Sequence, residues 1–313
     1  MNKGMTYKNF QQAYYGMINE ILNNGKESTV RGFDMLELIP GYFEIENPRD
    51  RLLNIDCRSK ITKYIFGELM WYLSGNDRVD FIGKYSKMWP QLTDDGIHNN
   101  SAYGKYIFNK MPNKGFGVIY DGSNDPNYNS NIEFKSQWEY VKELLRDDPS
   151  TRQAVIHIKP IQMYKTKDTV CTYFLQFFIR NNKLDMIACM RSNDIMFGTT
   201  YDIFMFTFLQ ELMAAELGIE VGTYKHFASN IHIYRKDMDK ITEILKENPD
   251  KETFKFSSIP SNFRDYDLPI LLKLEKQYWE NNKQLDSDLI NSLSTVGKEL
   301  VMLLTGEINS CIK

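Results

Sequence analysis

Apolar side chains recur at helical spacing near the start of this chain. Over residues 6–24 they fall on one face, and the pattern ends at Gly25, which predicts an amphipathic helix. The same spacing over residues 59–74, just before Gly75, predicts a second helix that ends at a glycine. We therefore expect the chain to open with two helices.

Three runs in the middle of the chain are rich in β-branched, aromatic and aliphatic residues. They predict strands over residues 154–158, 173–180 and 184–190. Residues 181–183, Asn-Asn-Lys, suit a tight hairpin between the last two strands, because asparagine tolerates a left-handed backbone. Cys171 then lies where the second of these strands opens.

The segment from Asp202 to Leu217 is apolar on nearly every side, which is typical of a helix buried at the centre of a protein. A further strand is predicted over residues 223–229, and the region of about residues 238–313 has a mostly helical pattern. Because no internal repeat or low-complexity linker marks a boundary, we expect a single domain over residues 1–313.

Composition and charge exclude several classes of protein. Apolar residues make up 42% of the chain and charged residues 25%, as in ordinary folded proteins. The net charge of −3 provides no basic field for duplex nucleic acid, so bulk nucleic-acid binding is disfavoured. The N-terminal stretch is polar and no long apolar run occurs, which predicts neither an export signal nor a membrane span. We expect a cytoplasmic protein.

The cysteines lie far apart, with no C-x-x-C pair and no cluster of histidines, which argues against a metal site or a disulfide scaffold. A lone cysteine at the start of a strand is usually a small buried hydrophobe. Arg152 and Arg191, however, flank Cys171 within about twenty residues on either side. Arginines lower the pKa of a thiol and bind phosphate with two hydrogen bonds, so a thiolate beside an anionic substrate is one hypothesis. Ordinary ion pairs of these arginines are the alternative.

Four further polar residues are candidates for a site. Asp194 and Asp202 precede the apolar helix, and Asp202 could cap its N-terminus or face a ligand. His232 and Tyr234 stand on alternate residues of an extended stretch, so their side chains project to the same face. They could hydrogen-bond one ligand hydroxyl or simply pack in the core.

The intervals between these residues resemble those of the thymidylate synthase family, which includes the phage deoxycytidylate hydroxymethylases. The resemblance covers roughly residues 26–237. Upstream, Glu68 to Gly75 is similar to the family's E-L-x-W-x-L-x-G helix, and Trp89 stands fourteen residues before Tyr103, as in the family. The matching positions downstream are Cys171, Arg191, Ser192, Asp194, Gly198, Asp202, His232 and Tyr234.

The resemblance implies a mixed α/β fold, in which a large predominantly antiparallel sheet is flanked by helices. It also implies a homodimer whose sheets pack face to face. Cys171 would be the nucleophile, and Arg191, Ser192 and Arg152 would bind the phosphate, with Arg152 reaching into the partner's site. Arg31 is a further candidate for the phosphate site.

The remaining carried-over residues would bind the sugar, the catalytic water and folate. The resemblance implies that His232 and Tyr234 hold the 3′-hydroxyl of the sugar. The positions that would organise the catalytic water and the folate are Glu68, Trp89, Tyr103 and Asp194. Trp89 and Asp194 would contact the folate, and no metal is expected.

The reaction explains why these residue types are needed. C5 of a pyrimidine is a poor nucleophile, so a thiolate adds at C6 and increases the electron density at C5, which attacks the methylene group of 5,10-methylenetetrahydrofolate. Hydrogen-bond donors must stabilise the charge that develops on the ring, and a general base must remove the C5 proton. The expected activity is therefore a methyl or hydroxymethyl transfer.

Asp202 stands where the synthases carry an asparagine that reads uracil. An ionised carboxylate only accepts hydrogen bonds and repels O4 of uracil, whereas the N4 amino group of cytosine donates to it. Asp202 therefore favours dCMP over dUMP. Thr172, Met190 and the C-terminal INSCIK differ from the synthases and favour hydroxymethylation. We expect a dCMP hydroxymethylase, with thymidylate synthase, dUMP hydroxymethylase and a non-catalytic nucleotide-binding homologue as alternatives.

Overall fold

The strands form two sheets in the computed structural model, which describes residues 5–58, 62–109, 136–158 and 165–311. The larger sheet has six strands in the order β1-β4-β9-β7-β6-β5, and the smaller has four in the order β2-β3-β10-β8. The strands are β1 (Thr6–Tyr7), β2 (Lys26–Val30), β3 (Phe33–Leu38), β4 (Gly41–Ile45), β5 (Val155–His157), β6 (Thr172–Arg180), β7 (Lys183–Met190), β8 (Asn193–Asp194), β9 (Glu220–Ala228) and β10 (Ile231–Tyr234).

The six-stranded sheet contains the strands predicted in the middle of the chain. The hairpin of β6 and β7 turns at Asn181 and Asn182, whose φ angles are 52° and 57°, so the turn prediction is confirmed. The β4–β9, β6–β7 and β5–β6 pairs are antiparallel, whereas β7 runs parallel to β9. Parallel neighbours need a crossover connection, and a long helix provides it here.

Helices surround the sheets, which confirms the expected mixed fold. The helices of at least four residues in the described part are α1 (Phe10–Asn24), α2 (Thr62–Ser74), α3 (Val79–Ile82), α4 (Tyr103–Phe108), α5 (Gln137–Asp147), α6 (Gly198–Leu217), α7 (Met238–Ile244), α8 (Phe263–Glu280), α9 (Ser287–Ser292), α10 (Thr295–Thr305) and α11 (Ile308–Cys311). None of these described helices is long and apolar enough to cross a membrane.

Two predicted helix starts differ from the structure. Helix α1 begins at Phe10 because Asn9 caps it by accepting a hydrogen bond from the Gln12 N–H, while residues 6–7 pair with β4 as a short strand. The predicted start of α2 at residue 59 lies outside the described residues. Helix α6 begins at Gly198, four residues before Asp202. The interpretation of Asp202 as an N-cap is therefore wrong, because this residue lies in the second turn.

The core brings the C-terminal helices against the first half of the chain. Buried residues of α8 and α10, such as Leu271 and Leu300, belong to the same apolar cluster as Phe66 and Leu69 of α2. Helix α6 runs through this cluster with its apolar side chains buried on nearly every side, as its sequence predicts. Near their N-terminal ends α2 and α6 lie side by side, with the ring centroids of Tyr64 and Tyr201 4.5 Å apart.

Candidate active site

Cys171 and Arg191 meet at the paired ends of β6 and β7. The backbone N–H of Arg191 donates to the carbonyl of Cys171 at 2.8 Å, and its Nη2 lies 3.4 Å from the Cys171 Sγ. The guanidinium also donates to the carbonyls of Thr169 at 2.7 Å and Val170 at 3.0 Å, which fix its position. A cation next to a thiol favours the thiolate, which is the nucleophilic form. The structure therefore joins the two residues on which the sequence hypothesis depends.

Tyr103 holds the backbone of Cys171 from the other side. The Cys171 N–H donates to the Tyr103 Oη at 3.1 Å. Burial, and then the neighbouring Cys171, raise the pKa of Tyr103, so its hydroxyl stays protonated. The close approach depends on Gly104, because a Cβ there would lie 2.0 Å from the Tyr72 carbonyl oxygen. Gly104 thus allows α4 to pack on α2 and Tyr103 to reach Cys171.

Glu68 is a buried acid on α2. Burial, and then the neighbouring Asp202, raise its pKa to about 8, which suits proton transfer near neutral pH. The Tyr64 hydroxyl donates to Glu68 Oε1 at 3.2 Å, and the Trp89 Nε1–H donates to the Tyr64 oxygen at 3.0 Å. Glu68 Oε2 is buried and has no hydrogen-bond partner within the described ranges. That oxygen is available to a ligand or a water molecule.

The two aspartates of the motif lie on either side of the start of α6. The Asn193 Nδ2–H donates to Asp202 Oδ2 at 2.8 Å, and burial raises the pKa of Asp202 to about 7. Asp194 accepts from the Met196 N–H at 2.9 Å, and burial raises its pKa to about 6. Both acids can therefore change protonation state near neutral pH.

His232 and Tyr234 project from β10 to one face, as their alternation predicts. Their ring centroids are 4.8 Å apart. The Asn230 side-chain N–H donates to Glu37, so its oxygen faces His232 Nδ1 at 2.8 Å and accepts a hydrogen bond from it. Burial lowers the pKa of His232 to about 4, so the ring is neutral and Nε2 is an acceptor. This Nε2 is buried and has no partner in the described part of the chain.

The candidate phosphate residues are less closely grouped. Ser192 follows Arg191 directly and is half-buried, whereas Arg31 is exposed in the turn between β2 and β3, with φ of 52°. Arg31 is close enough to Tyr234 to lower its pKa, although burial of Tyr234 outweighs this effect. Arg152 is exposed before β5, and within the described residues its guanidinium makes no hydrogen bond or ion pair with the other candidates. The structure thus groups the candidates around Cys171 except for Arg152.

Sequence reasoning did not identify three residues that contact the candidates directly or through one another. Tyr64 stands four residues before Glu68 on α2, a spacing that brings side chains together and could have revealed it. Asn193 lies inside the Arg191–Asp202 segment and binds Asp202. His226 contacts Asn193 from β9, and its position in a strand of mixed polarity gave no signal.

Known proteins resemble this chain along most of its length. The thymidylate synthase family model matches residues 12–275. The chain is 31% identical over 242 residues to the deoxyuridylate hydroxymethyltransferase of Bacillus phage SP01, which covers 75% of this chain and 60% of that protein. It is 26% identical over 219 residues to the deoxyuridylate hydroxymethyltransferase of Delftia phage PhiW-14, which covers 65% of this chain and 54% of that protein. The matches thus span less than two thirds of the length of either phage relative.

Bacterial synthases match a larger share of their own length. The chain is 25% identical over 259 residues to thymidylate synthase 1 of Bacillus subtilis (strain 168), covering 78% of this chain and 85% of that protein. The structure of thermostable thymidylate synthase A from Bacillus subtilis has a TM-score of 0.64 at 21% identity and covers 83% of this chain and 92% of that chain. This structural likeness supports the fold.

Proposed function

Because this chain belongs to the thymidylate synthase family, we propose that it transfers a one-carbon unit from 5,10-methylenetetrahydrofolate to C5 of a pyrimidine deoxynucleoside 5′-monophosphate. The substrate that the site supports best is dCMP, and the product is 5-hydroxymethyl-dCMP. One observation carries this proposal: the Arg191 guanidinium lies 3.4 Å from the Cys171 thiol. A thiolate in this position can add to a pyrimidine ring whose phosphate the same part of the chain binds.

In the proposed reaction the Cys171 thiolate forms a bond to C6, and the electron pair of the C5=C6 bond becomes available at C5. Methylenetetrahydrofolate supplies the one-carbon unit when it is bound. Once C5 has bonded to the one-carbon unit, loss of the C5 proton to a base releases tetrahydrofolate and leaves an exocyclic methylene group on C5. A water molecule then adds to this methylene carbon and loses a proton, the C5=C6 double bond re-forms, and the Cys171 sulfur leaves as the thiolate. Glu68 suits the orientation of the water that becomes the hydroxyl group, because its pKa is about 8 and its Oε2 has no partner in the described residues.

The nucleotide is proposed to bind through its sugar and its phosphate. A neutral His232 offers Nε2 as an acceptor for the 3′-hydroxyl, and Tyr234 lies beside it. Arg191 and Ser192 would bind the phosphate, with Arg31 in the nearby turn as a further ligand. Arginine suits this role because its planar guanidinium matches two phosphate oxygens.

We place Arg152 in the site of a second copy of the chain. Its side chain is exposed and makes no hydrogen bond or ion pair with the other candidates of its own chain within the described ranges. The outward face of the six-stranded sheet also carries half-exposed apolar residues, including Phe174, Ile187 and Phe227 on three adjacent strands. An apolar sheet face of this kind favours burial against another surface. The proposed assembly is therefore a homodimer with this face at its centre.

The residues expected at the folate site are chemically compatible with a pterin. Trp89 provides an apolar ring that packs on Trp71, with 5.1 Å between the ring centroids. Asp194 provides a carboxyl group with a pKa of about 6, which can accept hydrogen bonds from the N–H groups of a pterin. These side chains fit the co-substrate that the family uses, and they would hold it in this chain.

The base is read by Asp202 in this proposal. Its carboxylate accepts hydrogen bonds from the N4 amino group of cytosine, and its protonated form, with a pKa of about 7, can also donate to N3. Hydroxymethylation of dUMP is the second candidate, because both phage relatives are named for deoxyuridylate.

Asp202→Asn tests this reading. The amide offers a donor for O4 of uracil, so we expect the ratio of kcat/KM for dCMP to that for dUMP to fall about tenfold or more, which is about 1.4 kcal/mol. Asp265→Asn makes the same chemical change at an exposed position of α8 and should leave the ratio unchanged. An unchanged ratio in a well-folded Asp202→Asn variant would remove the main support for dCMP.

A further inference from the structure

A buried chain of hydrogen bonds runs from β9 to Asp202. The Tyr224 hydroxyl lies 2.9 Å from His226 Nδ1, and His226 Nε2 lies 3.2 Å from Asn193 Oδ1. The Asn193 Nδ2–H then donates to Asp202 Oδ2 at 2.8 Å. Tyr224 and His226 have no exposed surface, and Asn193 is 2% exposed. These three residues are therefore buried, and within the described residues their side chains join the base site through the Asn193–Asp202 hydrogen bond.

The series of hydrogen bonds from Tyr224 to Asp202 has two possible donor-to-acceptor directions, because His226 is neutral. Burial lowers the pKa of His226 to about 3, and its ring stacks on Phe43 with 4.9 Å between the centroids. A neutral imidazole has one N–H donor and one acceptor nitrogen. Either Tyr224 donates to Nδ1 and Nε2–H donates to the Asn193 oxygen, or the amide is turned over and every hydrogen bond reverses.

The buried hydroxyls select the first direction. Among the described residues the Tyr224 hydroxyl has no hydrogen-bond partner other than His226, so reversal would leave its O–H without an acceptor. The Thr199 hydroxyl donates to Asn193 Oδ1 at 2.6 Å, and after reversal it would face an N–H group instead. Buried donors without acceptors are costly. The direction is therefore Tyr224 to His226 to Asn193 to Asp202.

This direction restricts the proton of Asp202. A protonated carboxyl group presents one donor and one acceptor, and it can exchange them between its two oxygens. An unrestrained acid could therefore match cytosine or uracil. A carbonyl oxygen accepts more strongly than a hydroxyl oxygen, so the Asn193 N–H that donates to Oδ2 favours the form with the proton on Oδ1. We infer that Tyr224, His226 and Asn193 are positioning residues that set the base preference by fixing which Asp202 oxygen is the donor. This inference rests on the proposed reading of the base by Asp202.

Tyr224→Phe removes the first donor without changing the shape of the side chain. His226 can then adopt either tautomer, so we expect the dCMP-to-dUMP ratio of kcat/KM to move at least threefold toward unity. Thr199→Val removes the second donor to Asn193 and should move the ratio in the same direction. Tyr15→Phe is the matched control, because the Tyr15 hydroxyl is buried without a partner in the described residues and takes no part in the hydrogen bonds from Tyr224 to Asp202. It should leave the ratio unchanged.

The tautomer of His226 tests the direction without any nucleotide. The chain has four histidines, so nitrogen NMR of histidine-labelled protein gives few signals. The signal that Tyr224→Phe perturbs, with the Thr199→Val spectrum as a check, belongs to His226. We expect the Nε2–H form near neutral pH, whereas His232 should show the Nδ1–H form. An Nδ1–H form at His226 would overturn the inference whatever the substrate is.

The outcomes separate the inference from the proposed function. If Asp202→Asn changes the base ratio but Tyr224→Phe and Thr199→Val do not, the positioning role is wrong and the function of Asp202 stands. If Asp202→Asn itself has no effect, the proposed base reading fails and takes the inference with it, even with the expected tautomer. If all three variants change the ratio, Tyr15→Phe does not and His226 has the Nε2–H form, the inference holds.

Discussion

Replacing Glu68 by glutamine removes an acid that the folded protein holds in an unfavourable place. The side chain is 8% exposed, and the influences on its pKa are burial, the neighbouring Asp202 and the Tyr64 hydroxyl, with no cation among them. An acid that is buried without a cation is destabilising when it ionises. Such a residue is retained for its chemistry, so its removal should increase stability and abolish most activity.

The magnitude and the sign follow from the pKa. It rises from an ordinary 4.5 to about 8, so between these values the folded state keeps a proton that the unfolded state has lost. Stability therefore falls as pH rises through this window. At about 1.4 kcal/mol per pH unit, the free energy of unfolding that is lost once the pH has passed 8 is at most about 5 kcal/mol. We expect the free energy of unfolding of Glu68→Gln, relative to that of the wild type, to increase by at least about 2 kcal/mol from pH 5 to pH 9.

Urea unfolding of both proteins at pH 5 and pH 9 measures this difference. Glu211→Gln is the matched control, because Glu211 is also buried but accepts a hydrogen bond from Arg49 Nε at 2.9 Å and another from the buried Arg51. Leaving Arg51 unpaired should cost about 3–5 kcal/mol at both pH values. A Glu68→Gln variant whose stability relative to the wild type is the same at both pH values would refute the reasoning. Its kcat should fall about 100-fold or more.

Three further predictions concern the nucleophile, the phosphate and the sugar. Cys171→Ala should abolish tritium release from C5 of the nucleotide, whereas Cys57→Ala, at another half-buried cysteine, should retain it. Inactive Cys171→Ala and Arg152→Ala chains should regain activity when mixed, because each heterodimer has one complete site; verified heterodimers without activity would disprove the crossing contact. His232→Gln should weaken dCMP binding about tenfold and barely change binding of its 3′-deoxy analogue, and equal weakening of both would exclude the sugar contact.

Local signals in the sequence predict some elements well and others poorly. The β6–β7 hairpin follows from two asparagines at the turn and from apolar runs on either side, all of which are local. The start of α6 could not be read in this way. Its first turn, from Gly198, has no side-chain cap at Phe197 and no apolar periodicity, so the pattern placed the helix four residues too late.

The site shows the same limit. The intervals between Cys171, Arg191 and Asp202 identify the candidate residues, and Arg191 reaches Cys171 because their strands are neighbours in sequence. The contact of His226 with Asn193 joins residues 33 positions apart and depends on the parallel register that sets β7 and β8 beside β9 and β10. No local pattern specifies that register, so the hydrogen-bond chain to Asp202 could not be predicted.

The most direct test of the proposed activity is the mass of the product. The protein would be incubated with 5,10-methylenetetrahydrofolate and either dCMP or dUMP, with Cys171→Ala as the control, and the nucleotides would be weighed by mass spectrometry. We expect dCMP to gain one CH₂O unit, dUMP to react at least tenfold more slowly, and Cys171→Ala to give no product. A product heavier by only CH₂, preferential conversion of dUMP, or no conversion of either nucleotide by the wild-type protein would contradict dCMP hydroxymethylation.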